Sequence, residues 1–216
     1  MFVVIDGIDG AGKGTQVKLV AEYLEMQGKK VKIIDFPRYG EKSAFFVEKY
    51  LNGEYGNFVK PKLASLFYAL DRFDASKELK EDLNQYDYII SNRYVSASMI
   101  HQSGKIVKKE EVDTYLEWLD DLEYTIFSIP RPDITLFLDV SPEISSQLIG
   151  KKEQREYIKG GENKDIHEKD ENHLRDAYNM AHYVAKKFDW KIIDCVEGGN
   201  ILTKEKITQK ILSCIL

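Results

Sequence analysis

Cysteine is scarce in this sequence: Cys195 and Cys214 are the only two among 216 residues. So few thiols at that spacing exclude a disulfide framework and a structural zinc site, which normally needs about four clustered ligands. Both read as buried or incidental thiols. Long apolar runs are missing too. No stretch approaches the roughly 18 residues of a membrane span, and Met1 leads directly into Phe2–Gly7 with no basic segment or small-residue cleavage site. A soluble, cytoplasmic protein is expected. Basic charge is not in excess either: 31 Lys and Arg against 36 Asp and Glu leave a net −5. That balance argues against a general nucleic-acid surface, while a local basic cluster can still grip one phosphate-bearing ligand. Internal repeats and linker-like composition breaks are absent, so a single domain over residues 1–216 is expected. What is present is 43% hydrophobic and 12% aromatic residues, enough for a sizeable core.

Five β-branched, apolar runs predict buried strands, at 2–6, 31–36, 86–92, 134–140 and 190–195. Between them lie segments of helical period starting at Thr15, Leu63, Glu110 and Glu171, and a last helix is expected over Ile207–Leu216. Alternation of strand and helix requires crossover connections, hence a mostly parallel sheet with helices on both faces. Gly28 suits the end of the first helix because it adopts positive φ readily. The charged stretch from Gly150 to Asn172 reads either as a solvated loop or as an active-site lid.

Immediately after the first strand stand Gly7, Ile8, Asp9, Gly10, Ala11, Gly12, Lys13, Gly14 and Thr15. Gly7 and the Gly12–Lys13 pair are separated as in a phosphate-binding loop, and the strand–loop–helix context is the required one. Glycines let backbone N–H groups turn inward around a phosphate, the helix N-terminus adds its dipole, and Lys13 supplies a point charge. Gly14 occupies the place where Ser or Thr usually holds Mg²⁺; the hydroxyl comes one residue later, in Thr15. Asp9 would repel phosphates, so it either helps hold a metal or accepts a hydrogen bond from a sugar hydroxyl of a second substrate. Arg38, just after the second strand, and Arg93, at the end of the third, lie at the same sheet edge. Ligands sit beyond the carboxyl ends of parallel strands, so both arginines are candidates to clamp a second phosphate.

The chain resembles the thymidylate kinases, P-loop nucleoside monophosphate kinases, over nearly its whole length. The resemblance rests on GIDGAGKGTQ at 7–16, FPRYG at 36–40, LFYALDR at 66–72, NRYVSAS at 92–98, RPDITLFLDVSPE at 131–143 and DIHEKD at 165–170. It implies a three-layer αβα P-loop fold with a five-stranded parallel sheet, and transfer of a phosphoryl group from ATP-Mg²⁺ to dTMP, giving dTDP and ADP. In that reading Gly7, Asp9, Gly10, Ala11, Gly12, Lys13, Gly14 and Thr15 bind the donor, with Asp9 and Thr15 at the metal. Pro37, Arg38, Tyr39 and Arg93 take the acceptor phosphate, Tyr68 stacks on the pyrimidine, and Arg72 and Ser98 read its edge. Asp9 meets the 3′-hydroxyl; His101 and Gln102 lie near the sugar. A homodimer is implied as well.

Three departures from the family pattern stand out. Asn92 replaces an Asp associated with the metal and the reacting phosphates, and His101 stands where many members carry Tyr. Gly10 stands where one branch has Arg, so the lid should supply the catalytic cation, Arg155 first. Two alternatives follow: a kinase for another nucleotide or nucleoside, or a nucleotide-binding relative with little turnover.

Overall fold

The computed structural model describes residues 1–150 and 171–216. Most of the expected lid, including Arg155, lies outside the described residues. Strands β1 (Phe2–Asp6), β2 (Val31–Asp35), β3 (Tyr88–Asn92), β4 (Ile134–Asp139) and β5 (Lys191–Asp194) form one sheet in the order β2-β3-β1-β4-β5. All four neighbouring pairs are parallel, as the alternation of elements required. β1 coincides with the apolar run that predicted it, β3 begins two residues later than its run, and β2, β4 and β5 each stop one residue short of theirs.

β1 lies in the middle of the sheet and is buried along its whole length. Its side chains alternate between two cores. Val3 and Ile5 pack with Val17, Val20 and Leu24 of α1 (Lys13–Met26) and Ile207 and Ile211 of α8 (Lys204–Ile215). Phe2 and Val4 pack with Leu79 of α3 (Pro61–Asp82), Met99 of α4 (Val95–His101) and Leu116 of α5 (Lys109–Asp120). A strand apolar on both faces is stable only between two helical layers, each buried side chain contributing about 1.5–3 kcal/mol. α7 (Glu171–Lys187) contributes to both clusters through Ala181 and Val184.

Helix ends follow local chemistry. α1 terminates at Gly28, whose φ of 76° lets its N–H reach Glu25 O at 2.9 Å and that of Lys29 reach Leu24 O at 3.1 Å. α3 opens with Pro61, which has no N–H to leave unsatisfied. At the start of α8 the Thr203 hydroxyl accepts from Lys206 N at 3.3 Å.

Three short helices are additions to the expected set: α2 (Phe45–Leu51), α4 and α6 (Pro142–Ile149). At two turns or so, they are too short to show a helical period. A two-residue hairpin also follows β5, pairing Val196–Glu197 with Asn200–Ile201 around Gly198 and Gly199, both at positive φ.

The run from Glu110 to Phe127, expected as one helix, changes character halfway. α5 ends at Asp120 and the chain continues as a π-helical turn over Asp121–Ile126. The wider turn keeps consecutive Leu122 and Glu123 on the buried side, with Glu123 fully enclosed. Its carboxylate forms an ion pair with Arg72 of α3, which is also buried: Arg72 Nε donates to both carboxylate oxygens at 3.0 and 3.1 Å, and Nη2 adds a further bond to Oε1. Burial pulls the Arg72 pKa down, but the Glu123 charge outweighs it and holds the guanidinium above its ordinary value. Replacing Glu123 by Ala strands this charge. Glu123→Ala is expected to lower the unfolding free energy by about 3–5 kcal/mol, read from urea denaturation; a loss under about 1 kcal/mol would mean that water reaches Arg72.

Candidate active site

Beyond the carboxyl ends of β1, β2 and β3 opens a cavity of about 520 Å³. The loop after β1 forms one wall. Its shape starts with Asp6, a buried carboxylate whose Oδ1 accepts from Gly7 N at 2.8 Å and whose Oδ2 accepts from Ser96 Oγ of α4 at 2.5 Å. Lys13 folds back over the loop, its Nζ donating to the carbonyls of Gly7 and Ile8, each at 2.9 Å. Thus the ammonium stays buried at the loop, where a phosphate would need it.

Gly10 is the tightest point. It has φ 86°, and a Cβ built there would meet Ser145 O and Oγ at 2.6 Å and Ile149 Cγ1 at 2.8 Å. α6 is packed directly on the loop, and Ser145 Oγ donates to the Asp9 carbonyl. No side chain fits at this position, so an Arg here is excluded by space as well as by sequence.

The opposite wall begins with Arg93, in left-handed backbone at φ 66°. A non-glycine residue there is strained by roughly 1–2 kcal/mol, and such outliers gather at functional sites. The kink reverses the chain from β3 into α4 and aims the guanidinium at the loop, where Nη2 forms an ion pair with Asp9 Oδ1. Nη1 donates to His101 Nε2 at 3.1 Å. Because arginine only donates, that His101 nitrogen is unprotonated. His101 is buried and supports Arg93 at the edge of the same cavity.

Of the residues singled out in the sequence, Asp9, Gly10, Gly12, Lys13, Gly14, Thr15, Pro37, Tyr39, Tyr68, Arg72, Arg93, Ser98, His101 and Gln102 all border this cavity. Gly7 and Ala11 do not; they shape the loop from within, Ala11 N bonding to Ile8 O at 3.2 Å. Arg38 is not among the residues that border the cavity. Its guanidinium turns away to α3, with Nε 3.0 Å from Asp71 Oδ1 and Nη2 2.8 Å from Ser43 Oγ and 2.5 Å from Asp74 Oδ2. The Phe36–Pro37 peptide is cis, and it carries the chain from β2 past the cavity to Tyr39.

Tyr68 and Arg72 both reach the cavity from α3, as their four-residue spacing requires. Arg72 is anchored from three sides: Glu123, the Tyr94 carbonyl at 3.2 Å and Ser98 Oγ at 3.1 Å.

Sequence reading missed four contributors. Asp6 ends its apolar run and Asp35 stands next to the end of its own, and that position was the available signal. Glu123 follows Asp120, Asp121 and Leu122, and no local pattern marks it as buried. Lys18, one turn beyond the loop on α1, also lines the cavity.

Asp35 lies beside Asn92, its partner in the β2–β3 register. Asn92 Nδ2 donates to Asp35 Oδ2 at 3.0 Å. By area Asp35 is exposed to the cavity, yet protein atoms crowd its carboxyl. That desolvation raises its pKa above the ordinary value, against the pull of the Asn92 amide and of the Arg93 and Lys13 charges. Asn92 Oδ1 is buried with no hydrogen-bond partner among the described residues. An orphaned acceptor costs about 1–3 kcal/mol, and it is an oxygen of the kind a hard divalent cation takes. Together with the cavity-facing Asp35 and Thr15 it fits Mg²⁺. Magnesium keeps several waters and needs only one or two carboxylates, so the lack of a three-residue His/Cys/Asp/Glu cluster among the described residues does not conflict with it.

Comparison with known proteins agrees with the geometry. The family model for thymidylate kinase matches residues 5–198. The thymidylate kinase of Mycobacterium tuberculosis is 28% identical over 172 residues, covering 79% of this chain and 78% of that protein. A probable thymidylate kinase of Methanococcus aeolicus is 36% identical over 172 residues, covering 78% and 74% respectively. Among solved structures, a thymidylate kinase from Candida albicans superposes with a TM-score of 0.73 at 21% identity, over 99% of this chain and 90% of that one. At that identity it supports the fold.

The clash at Gly10 predicts that Gly10→Ala forces α6 off the loop, lowering stability by about 1–3 kcal/mol and weakening ATP binding. Gly12→Ala, with nothing within 4 Å of its Cβ, meets only the cost of its positive φ. Thermal melting and ATP titration of both variants check this; equal behaviour would mean that α6 yields freely.

Proposed function

The chain belongs to the thymidylate kinase family, and we propose that it transfers the γ-phosphoryl group of ATP to dTMP, giving ADP and dTDP for nucleotide biosynthesis. One observation carries this reading: Lys13 on the loop, Arg93 opposite it, and Tyr68 with Arg72 deeper in all border the same cavity. That set matches a donor phosphate, an acceptor phosphate and an acceptor base in sequence.

Phosphoryl transfer needs alignment and charge neutralisation more than covalent chemistry. The loop amides from Gly10 to Thr15 and Lys13 hold the donor phosphates. Arg93 exchanges its Asp9 contact for the acceptor phosphate, with Pro37 and Tyr39 completing that end. The freed Asp9 then accepts from the 3′-hydroxyl. Tyr68 stacks on the pyrimidine; Arg72 reaches its edge with the Nη1 hydrogen left over after Glu123, Ser98 and the Tyr94 carbonyl. Mg²⁺, when bound, neutralises charge shared between the phosphates, and Asp9, Thr15, Asp35 and Asn92 are the residues available to it. No general base is required, because a phosphate monoester is already ionised near neutral pH. Arg155 remains the proposed lid cation. We also propose a cytoplasmic location and a homodimer, the latter supported by the exposed Phe45, Phe46, Leu70 and Phe73 of α2 and α3.

An ADP-release assay with ATP-Mg²⁺ against dTMP, dUMP, ribosyl TMP, dGMP, AMP and thymidine tests the substrate. dTMP is expected at the head of the panel; a different leading acceptor would reassign the substrate, and universal inertness with intact ATP binding would indicate a nucleotide-binding relative without turnover. The base contact is tested by Arg72→Gln with Glu123→Gln, which removes both buried charges at once. This pair is expected to weaken dTMP binding roughly 10-fold or more, the scale of one lost charged hydrogen bond, and to leave ATP binding unchanged in calorimetry. Equal weakening of both ligands would put the base pocket elsewhere.

A further inference from the structure

Asp35 and Asn92 end adjacent parallel strands and are paired in register. Their hydrogen bond orients the Asn92 amide: with Nδ2 committed to Asp35 at 3.0 Å, Oδ1 must face the other way. That oxygen is enclosed and has no donor among the described residues. Its carboxylate neighbour feels the Arg93 and Lys13 charges but forms no ion pair among the described residues; Arg93 reaches to Asp9 and His101. A carboxylate facing a cavity meant for several phosphate charges is repulsive unless a cation stands between them. The Asn92 amide also lies next to the loop residue that lacks a hydroxyl, 3.9 Å from where a Cβ on Gly14 would stand.

We propose that Asp35 and Asn92 form one cation-binding unit in which the carboxylate has moved across the sheet. Asp35 on β2 supplies the charge that the family pattern puts at position 92, and Asn92 supplies Oδ1 as a second oxygen. Asp35 holds the divalent cation directly or through one of its waters, and the Asn92 amide turns its Oδ1 out of its enclosed position toward the same ion when the metal enters. Asp35 thereby becomes a specific requirement for metal binding in this chain. The inference rests on the kinase reading, since it takes the ligand set to include nucleotide phosphates.

The test is a carboxylate exchange read by metal binding. Mn²⁺ is titrated into protein saturated with ATP, then with dTMP, and free Mn²⁺ is followed by electron paramagnetic resonance for the wild type, Asp35→Asn and the double variant Asp35→Asn with Asn92→Asp. Asp35→Asn is expected to weaken Mn²⁺ binding roughly 10–100-fold while metal-free dTMP binds at least as tightly as before, because a negative charge has gone. The exchange variant is expected to recover most of the loss. Wild-type Mn²⁺ affinity in Asp35→Asn would overturn the proposal. So would an exchange variant that melts like the wild type and binds Mn²⁺ no better than Asp35→Asn. If dTMP proves inert as an acceptor while Mn²⁺ with ATP still separates wild type from Asp35→Asn, the substrate reading fails and the cation assignment stands.

Discussion

One buried carboxylate joins the two walls of the cavity. Asp6, the last residue of β1, accepts from the Gly7 amide on one side and from Ser96 of α4 on the other. The first bond sets where the phosphate loop leaves the sheet, and the second sets where the helix behind Arg93 begins. Because β1 is enclosed between β3 and β4 and between two helical layers, Asp6 has no room to shift. Its rigidity passes to Lys13 through the loop carbonyls and to Arg93 through the turn into α4.

On this frame the cavity arranges charge. Each cation meant for ligand is already held by protein oxygen or nitrogen: Lys13 by two carbonyls, Arg93 by Asp9 and His101, Arg72 by Glu123. These partners differ in kind. Glu123 is sealed inside and fixes Arg72 permanently, so Arg72 serves as a rigid edge. Asp9 borders the cavity and can exchange its partner when a phosphate arrives. Binding an acceptor is then a competition between a carboxylate and a phosphate dianion for one guanidinium, which favours ligands carrying more charge in the right place.

Much of the fold was legible because its signal is local. Five strands announce themselves as apolar runs of strand length, although only β1, β3 and β4 are buried and the edge strands β2 and β5 are mostly half-buried or exposed; the crossover between parallel neighbours follows from the helices between them. The loop from Gly7 to Thr15 was legible because glycine spacing, strand and helix all agree. Arg38 and Arg93 looked alike in the sequence, each at a strand end; the three acceptors around Arg38 come from α3 and from Ser43, at distances no local pattern records. His101 looked like a sugar-side residue; it borders the cavity and also supports Arg93, a contact no local pattern records.

The sequence by itself determined the layered architecture, the phosphate loop and the family, since each depends on residues close in the chain or on motifs in order. Tertiary structure alone decided how charges pair. The Arg72–Glu123 pair spans 51 positions and the Arg93–Asp9 pair 84, while Asp35 and Asn92 meet across 57 because two strands share a register. Coulomb attraction and desolvation depend on distance through space, and a sequence records only distance along the chain.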